Sequence, residues 1–301
     1  MPSPSASTFP LRVMPLPVLP STLCLALACL LAASPATAAA ERAGVDLIDG
    51  RKVESVTIRH QASGAVVVFE NGSRATLDGW DKVLDAVGPG ATVFAYNRPG
   101  YANSAATAAP RDGATIVEQL RAVLRQKELA PPYVLVGHSL GGLYMQLFAR
   151  RYPHEVKGIV LVDSLYPRIV KKPEDFPLAT RIGKWLFFSE TVQREIDMIH
   201  ATGEAVLAYP GIDDKPIIRL VNRPKSATAI PVDFGAFNVD AQTRTFVRQL
   251  YPNAKTVVAD SSHQMQLTHP ELVAGAIREV LAAPSDNTPN TFCKTAPLEK
   301  P

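Results

Sequence analysis

Ser139 lies in the run Val136-Gly137-His138-Ser139-Leu140-Gly141-Gly142, a G-x-S-x-G pattern. A serine hydroxyl is a weak nucleophile until a nearby base accepts its proton. Chemistry at Ser139 therefore needs a histidine delivered from elsewhere, and the chain has six: His60, His138, His154, His200, His263 and His269. His138 adjoins Ser139, and successive side chains of a tight turn diverge, so it is poorly placed as the base. His60 precedes the first predicted parallel strand, His154 follows a helix, His200 lies in a helical interval, and His269 precedes the last helix. His263 differs. It follows the last predicted strand, in Asp260-Ser261-Ser262-His263-Gln264. A loop at the carboxyl end of a parallel strand lies on the rim where open α/β sheets bind ligands. A serine served by a histidine there could attack a carbonyl, form an acyl-serine and release it to water.

The secondary structure must put Ser139 and His263 on one rim. The apolar run Tyr133-Val134-Leu135-Val136 predicts a strand ending at the motif, and Leu143, Met145, Leu147 and Phe148 predict a helix after it. Strand, sharp glycine turn and helix form the context in which G-x-S-x-G becomes a nucleophile elbow. The turn strains the serine backbone, Gly137 and Gly141 let neighbouring backbone pass close, and the helix N-terminus favours developing negative charge. Further apolar runs at 65–69, 91–95, 158–162, 217–221 and 254–258 read as strands buried on both faces of a parallel sheet. Residues 53–59 alternate as an antiparallel strand. Helical patterns lie between them, at 77–87, 113–128, 140–152, 241–251 and 270–282. Strand and helix alternate without an internal repeat, which predicts an α/β fold with a doubly wound, mostly parallel sheet.

From 164 to 215 no strand is predicted. Ile182, Trp185, Leu186, Phe187 and Phe188 are followed by helical spacing at Val192, Ile196, Ile199 and Val206. This interval reads as a helical cap inserted at about 165–215, after the strand ending at Val162; an ordinary long crossover is the plainer alternative. A cap whose apolar stripe faces a cleft would exclude water and line a pocket for an acyl group.

Five stretches, in order, resemble the α/β-hydrolase serine enzymes, the group of esterases, lipases and acyl-hydrolases. They are Val67-Val68-Phe69-Glu70-Asn71-Gly72, Tyr96-Asn97-Arg98-Pro99-Gly100-Tyr101, the Ser139 motif, Leu161-Val162-Asp163-Ser164, and Ser262-His263-Gln264 with Pro270-Glu271-Leu272-Val273. The resemblance spans about residues 65–281. It implies a sheet of the α/β-hydrolase type and the chain order serine, acid, histidine, with Ser139 as nucleophile and His263 as base. Many relatives carry an aspartate after the strand that here ends at Val221, but this chain has Asn222-Arg223-Pro224-Lys225 there. The family's other position, after the preceding strand, holds Asp163, which the resemblance nominates as the acid that orients His263. Asp233 and Asp240 are alternatives, and Asp260 is too near His263 in sequence to be a natural partner. Two backbone donors must face the developing oxyanion. One is the N–H of Leu140; the other, by resemblance, is the N–H of Ser73 after Asn71-Gly72, where relatives often read His-Gly.

The reaction so implied is hydrolysis of a carboxylic ester through an acyl-enzyme intermediate. Acyl transfer and amide or lactone hydrolysis use the same groups, and fold alone does not choose among them. The missing acid after Val221 leaves a non-catalytic binding protein of the same fold as the alternative from another class. A serine at 139 argues against the haloalkane and epoxide chemistry that an aspartate there would imply by resemblance.

Composition narrows the partners. The chain has 301 residues, with 31 Lys and Arg against 28 Asp and Glu and a net charge of +3. A balance this mild argues against nucleic acid or an anionic membrane as a partner. There is no His-Glu-x-x-His, no Cys/His cluster and no Gly-x-Gly-x-x-Gly after a strand, so neither a metal nor another cofactor is expected. The expected partner is a small-molecule ester with an apolar group, and the protein is expected to be a monomer. Near the N-terminus, Arg12 precedes the apolar segment 23–33, and Ala36-Thr37-Ala38 follows it. This is the pattern of a secretory signal peptide over residues 1–38, its apolar run too short for stable membrane insertion. The expectation is an exported protein, periplasmic or secreted, with a hydrolase domain over 39–283 and a flexible tail over 284–301. Cys24 and Cys29 would leave with the leader, and Cys293 would remain without an internal disulfide partner.

Overall fold

The apolar runs close into one sheet. The computed structural model describes residues 43–60, 64–223 and 241–284. The expected leader, Asp233, Asp240, Cys293 and nearly all of the expected tail lie outside these residues. Among them run eight strands: β1 (Gly44–Ile48), β2 (Arg51–Ile58), β3 (Val66–Glu70), β4 (Thr92–Tyr96), β5 (Tyr133–His138), β6 (Val156–Val162), β7 (Ile217–Asn222) and β8 (Lys255–Ala259). Their order across the sheet is β1-β2-β4-β3-β5-β6-β7-β8. β2 pairs antiparallel with β1 and β4, and every later pairing is parallel. The helices are α1 (Asp81–Val87), α2 (Gly113–Gln126), α3 (Leu140–Arg151), α4 (Leu178–Phe187), α5 (Glu190–Asp197), α6 (Ile199–Leu207), α7 (Ala241–Leu250), α8 (Met265–Thr268) and α9 (Pro270–Ala282).

Side-chain alternation along the strands feeds two cores, one on each face. Tyr133 and Leu135 of β5 join Ile116, Leu120 and Phe148 from α2 and α3. Val134 and Val136 join Phe69, Trp80, Val83 and Ile277 on the other face, under α1 and α9. Each fully buried aliphatic side chain is worth about 1.5–3 kcal/mol. The expected α/β class and the doubly wound, mostly parallel sheet are therefore present.

Four local features differ from the sequence expectation. β1 was not predicted; it folds back on β2 through Asp49 and Gly50, both at positive φ (47° and 73°), as a two-residue Asp-Gly hairpin requires. The 77–87 pattern divides into a 3-10 turn, Leu77–Trp80, and α1. The apolar run at 254–258 was expected to be buried on both faces, but β8 is the edge strand, and Val258 is 55% exposed.

The fourth concerns the interval between β6 and β7. It is helical as expected, and α5 and α6 bury Val192, Ile199 and Val206. The apolar stripe of α4 lies open: Leu178, Ile182 and Trp185 border a surface groove whose lining includes neither Ser139 nor His263. Leu178, Ile182, Trp185, Leu186 and Phe187 are all exposed, Trp185 by 71% and Phe187 by 78%. A periodic apolar stripe states that one face of a helix is apolar, but not what that face meets.

Candidate active site

β5 ends at His138 and α3 begins at Leu140, so Ser139 makes the reversal alone, at φ 52° and ψ −120°. A non-glycine residue held in so sparse a region costs about 1–3 kcal/mol and persists only when its surroundings over-determine it. Here they do. The Ser139 N–H donates to the Val162 carbonyl at 3.1 Å, and its own carbonyl accepts from Gly142 N at 3.0 Å and Leu165 N at 2.9 Å. The turn also needs its glycines: a Cβ on Gly137 would lie 2.5 Å from Gly142 Cα, and one on Gly141 would lie 2.5 Å from the Asn71 carbonyl oxygen.

β6 runs beside β5, so Asp163 at its carboxyl end emerges next to Ser139. Asp163 is itself at positive φ (40°), with its N–H on the Leu220 carbonyl at 2.8 Å. Its Oδ1 accepts the Asn222 N–H at 3.1 Å, and its Oδ2 lies 2.7 Å from His263 Nδ1. The Asp163 side chain is almost wholly buried, while that of His263 is about a quarter exposed. Engaging Nδ1 in this way leaves Nε2 as the nitrogen that can take a proton from a hydroxyl. Asn222, at the position where many relatives were expected to carry the acid, has another part: its Oδ1 accepts the Ser261 N–H at 3.3 Å and ties β7 to the loop bearing His263.

His138 packs against His263, ring centroids 4.7 Å apart, and its Nε2 donates to the His263 carbonyl at 2.9 Å. That acceptor requires the proton on Nε2. Burial, and then the neighbouring His263, push the His138 pKa down to about 3. His138 is thus a neutral brace under the main chain of His263, in keeping with the expectation that it is not the base. The same ring contact sets His263 against the residue that immediately precedes Ser139.

The two segments expected to supply oxyanion donors lie beside the serine. Leu140 is the first residue of α3, where an amide has no intrahelical acceptor. The Gly72–Ser73 peptide follows β3, and a Cβ on Gly72 would lie 3.1 Å from Ser139 Cβ. Asn71, in the place of the family's usual histidine, holds the loop by donating from Nδ2 to the Tyr96 carbonyl at 3.1 Å.

The sequence reading missed the charges beneath this loop. Glu70, Arg98, Arg111 and Glu195 are all buried, with Arg98 bridging Glu70 and Glu195 and Arg111 also on Glu195. A signal was present: Glu195 falls three residues after Val192 and four before Ile199, on the buried face of its helix. A carboxylate there demands a partner.

Comparison with known proteins agrees with this architecture. Residues 65–191 match the family model described as alpha/beta hydrolase fold. The chain is 30% identical to the uncharacterized Bacillus subtilis protein YqjL over 105 residues, 35% of this chain and 42% of that protein. It is 27% identical over 123 residues to the mouse (lyso)-N-acylphosphatidylethanolamine lipase, covering 40% of this chain and 36% of the lipase. These matches span less than half the length of either relative. Among solved structures, Cfl2 of Burkholderia cenocepacia superposes with a TM-score of 0.59 at 18% identity, over 80% of this chain and 95% of that one. Strand order, elbow and matched segment together show that this chain has the α/β-hydrolase fold.

Proposed function

We propose that the protein is a serine hydrolase that cleaves a carboxylic ester with an apolar group. The observation that carries the reading is the Asp163–His263 pair, 2.7 Å apart, on the same rim as a serine held in the strained elbow conformation. In this reading His263 Nε2 takes the Ser139 proton as Oγ attacks the ester carbonyl. The oxyanion sits between the N–H groups of Leu140 and Ser73. Collapse breaks the ester C–O bond, and the alcohol leaves with the proton held by His263. Water, deprotonated by the same imidazole, then attacks the acyl-serine, and the acid leaves as Ser139 regains its proton. Asp163 holds the ring in the required tautomer and stabilises the imidazolium. The non-catalytic alternative loses its motive, because Asp163 supplies at His263 the carboxylate missing after Val221.

The test is labelling with a fluorophosphonate together with turnover of short p-nitrophenyl esters. Labelling confined to Ser139, and turnover lost in Ser139→Ala, are expected; a folded wild type that is neither labelled nor active sinks the reading. Under the same proposal the enzyme works outside the cytoplasm after removal of residues 1–38, supported by Arg12, the 23–33 apolar run and Ala36-Thr37-Ala38. The mass of the protein recovered from the producing cell tests that part.

A further inference from the structure

Arg98, immediately beyond the loop entry from β4, uses every N–H it has. Nε donates to Glu195 Oε1 at 2.9 Å, and Nη2 to Glu195 Oε2 and to the Gly72 carbonyl, each at 3.0 Å. Nη1 donates to Glu70 Oε1 and to the Asn71 carbonyl, each at 2.6 Å. All five guanidinium donors are thus engaged, and two of them grip consecutive carbonyls of the loop that follows β3.

The Gly72 carbonyl and the Ser73 N–H belong to one peptide unit. That unit is planar and turns as a body, so fixing the oxygen fixes the direction of the N–H. A cation on the oxygen also polarises the unit and strengthens its N–H as a donor. The orientation of the guanidinium is set in turn by its two-pronged contact with Glu195, which comes from α5, outside the sheet. Glu195 is held from two further sides, by Tyr101 Oη at 2.6 Å and by Arg111. Tyr101 Oη also accepts the Arg74 N–H of the same loop at 3.4 Å. Burial pushes the Glu195 carboxyl upward, but Arg98 and Arg111 outweigh it and hold the group below its usual range. A fully buried ion cluster is weak evidence for stability, since apolar residues of the same volume often serve as well. What apolar residues could not do is hold those two carbonyls.

We propose that Glu195 is a positioning residue. Through Arg98 it aims the Ser73 N–H at the oxyanion, so that the seating of α5 completes the oxyanion hole. This rests on the serine-hydrolase reading and adds that the segment between β6 and β7 controls transition-state stabilisation rather than substrate binding alone.

The experiment compares the full chain with Glu195→Gln and Arg98→Lys. Fluorophosphonate labelling of wild-type Ser139 first checks the underlying reading, and thermal unfolding checks the fold of each variant. Three quantities follow: kcat and KM on a short p-nitrophenyl ester, affinity for an alkyl boronic acid, and affinity for a non-reactive ether of the same chain length. The boronate adds to Ser139 and places a tetrahedral oxygen in the hole; the ether does not. Expected in both variants is a fall in kcat of roughly ten- to a hundred-fold, an equal loss of boronate affinity, and unchanged KM and ether affinity. Where either variant does not fold, Tyr101→Phe, which removes one bond to Glu195 and the acceptor of the Arg74 N–H, decides: its boronate affinity should fall roughly three- to tenfold. A labelled wild type whose folded variants keep wild-type boronate affinity overturns this proposal alone. Equal losses for ether and boronate also overturn it, because they report a collapsed pocket. An unlabelled wild type overturns the underlying reading, and this one with it.

Discussion

Asp163 Oδ2 and His263 Nδ1 stand 2.7 Å apart across a hundred positions of chain. The carboxylate is buried and the imidazole is partly open, so the bond is shielded on the Asp163 side while the ring keeps an accessible edge. The second Asp163 oxygen is committed to the Asn222 N–H, which prevents the carboxylate from turning away.

Asp163→Asn should leave the fold intact and reduce kcat by about 10³–10⁴-fold. The amide oxygen can keep the Asn222 N–H, which turns the amide nitrogen toward His263 Nδ1. A donor there forces the ring proton onto Nε2, where it cannot accept from Ser139. Steady-state kinetics beside thermal unfolding checks this, and wild-type turnover in the variant would remove Asp163 from the site.

Gly137→Ala should destabilise the protein by about 1–3 kcal/mol through overpacking, because the added Cβ meets the backbone of Gly142 and Gly141 at 2.5 and 2.7 Å. Neither neighbour has a side chain that can move aside. Urea unfolding measures the loss; an unchanged midpoint would mean that the elbow is looser than these contacts imply.

His138 should make the protein acid-sensitive. Its pKa is about 3 in the folded chain against 6.5 for the free side chain. Between those values the unfolded chain binds a proton that the folded chain does not, so stability falls as pH falls, by up to about 1.4 kcal/mol per unit. The contribution is intact above pH 6.5 and gone by pH 3. Unfolding free energies measured from neutral to acid pH should fall more steeply in wild type than in His138→Gln. Parallel slopes would rule this out.

Phe187→Ser should change unfolding stability by less than about 0.5 kcal/mol, as expected at an exposed position, since the ring is 78% exposed. A loss of about 3 kcal/mol or more, the size expected for emptying a packed aromatic site, would mean that α4 is covered in solution.

How much of this was legible beforehand depended on how local the cause was. The elbow could be read because its determinants are neighbours: an apolar β run, a glycine on either side of Ser139 and helical spacing after it. The β8 run reads as a doubly covered strand yet forms an edge, and the apolar stripe of α4 stays exposed, for a shared reason. Local pattern records that a surface is apolar; only the packing of distant segments decides whether anything covers it.

By itself the sequence determined the α/β alternation, the G-x-S-x-G turn at Ser139 and the placement of His263 after the last strand, because periodicity and backbone permissiveness act over a few residues. The tertiary structure alone decided that Asp163 meets His263, that Asn222 is a strut rather than an acid, and that Arg98 and Glu195, 97 residues apart, share one buried ion pair. Which charged groups meet is set by how the strands stack and where the chain returns, and a one-dimensional pattern does not record distances between residues so far apart.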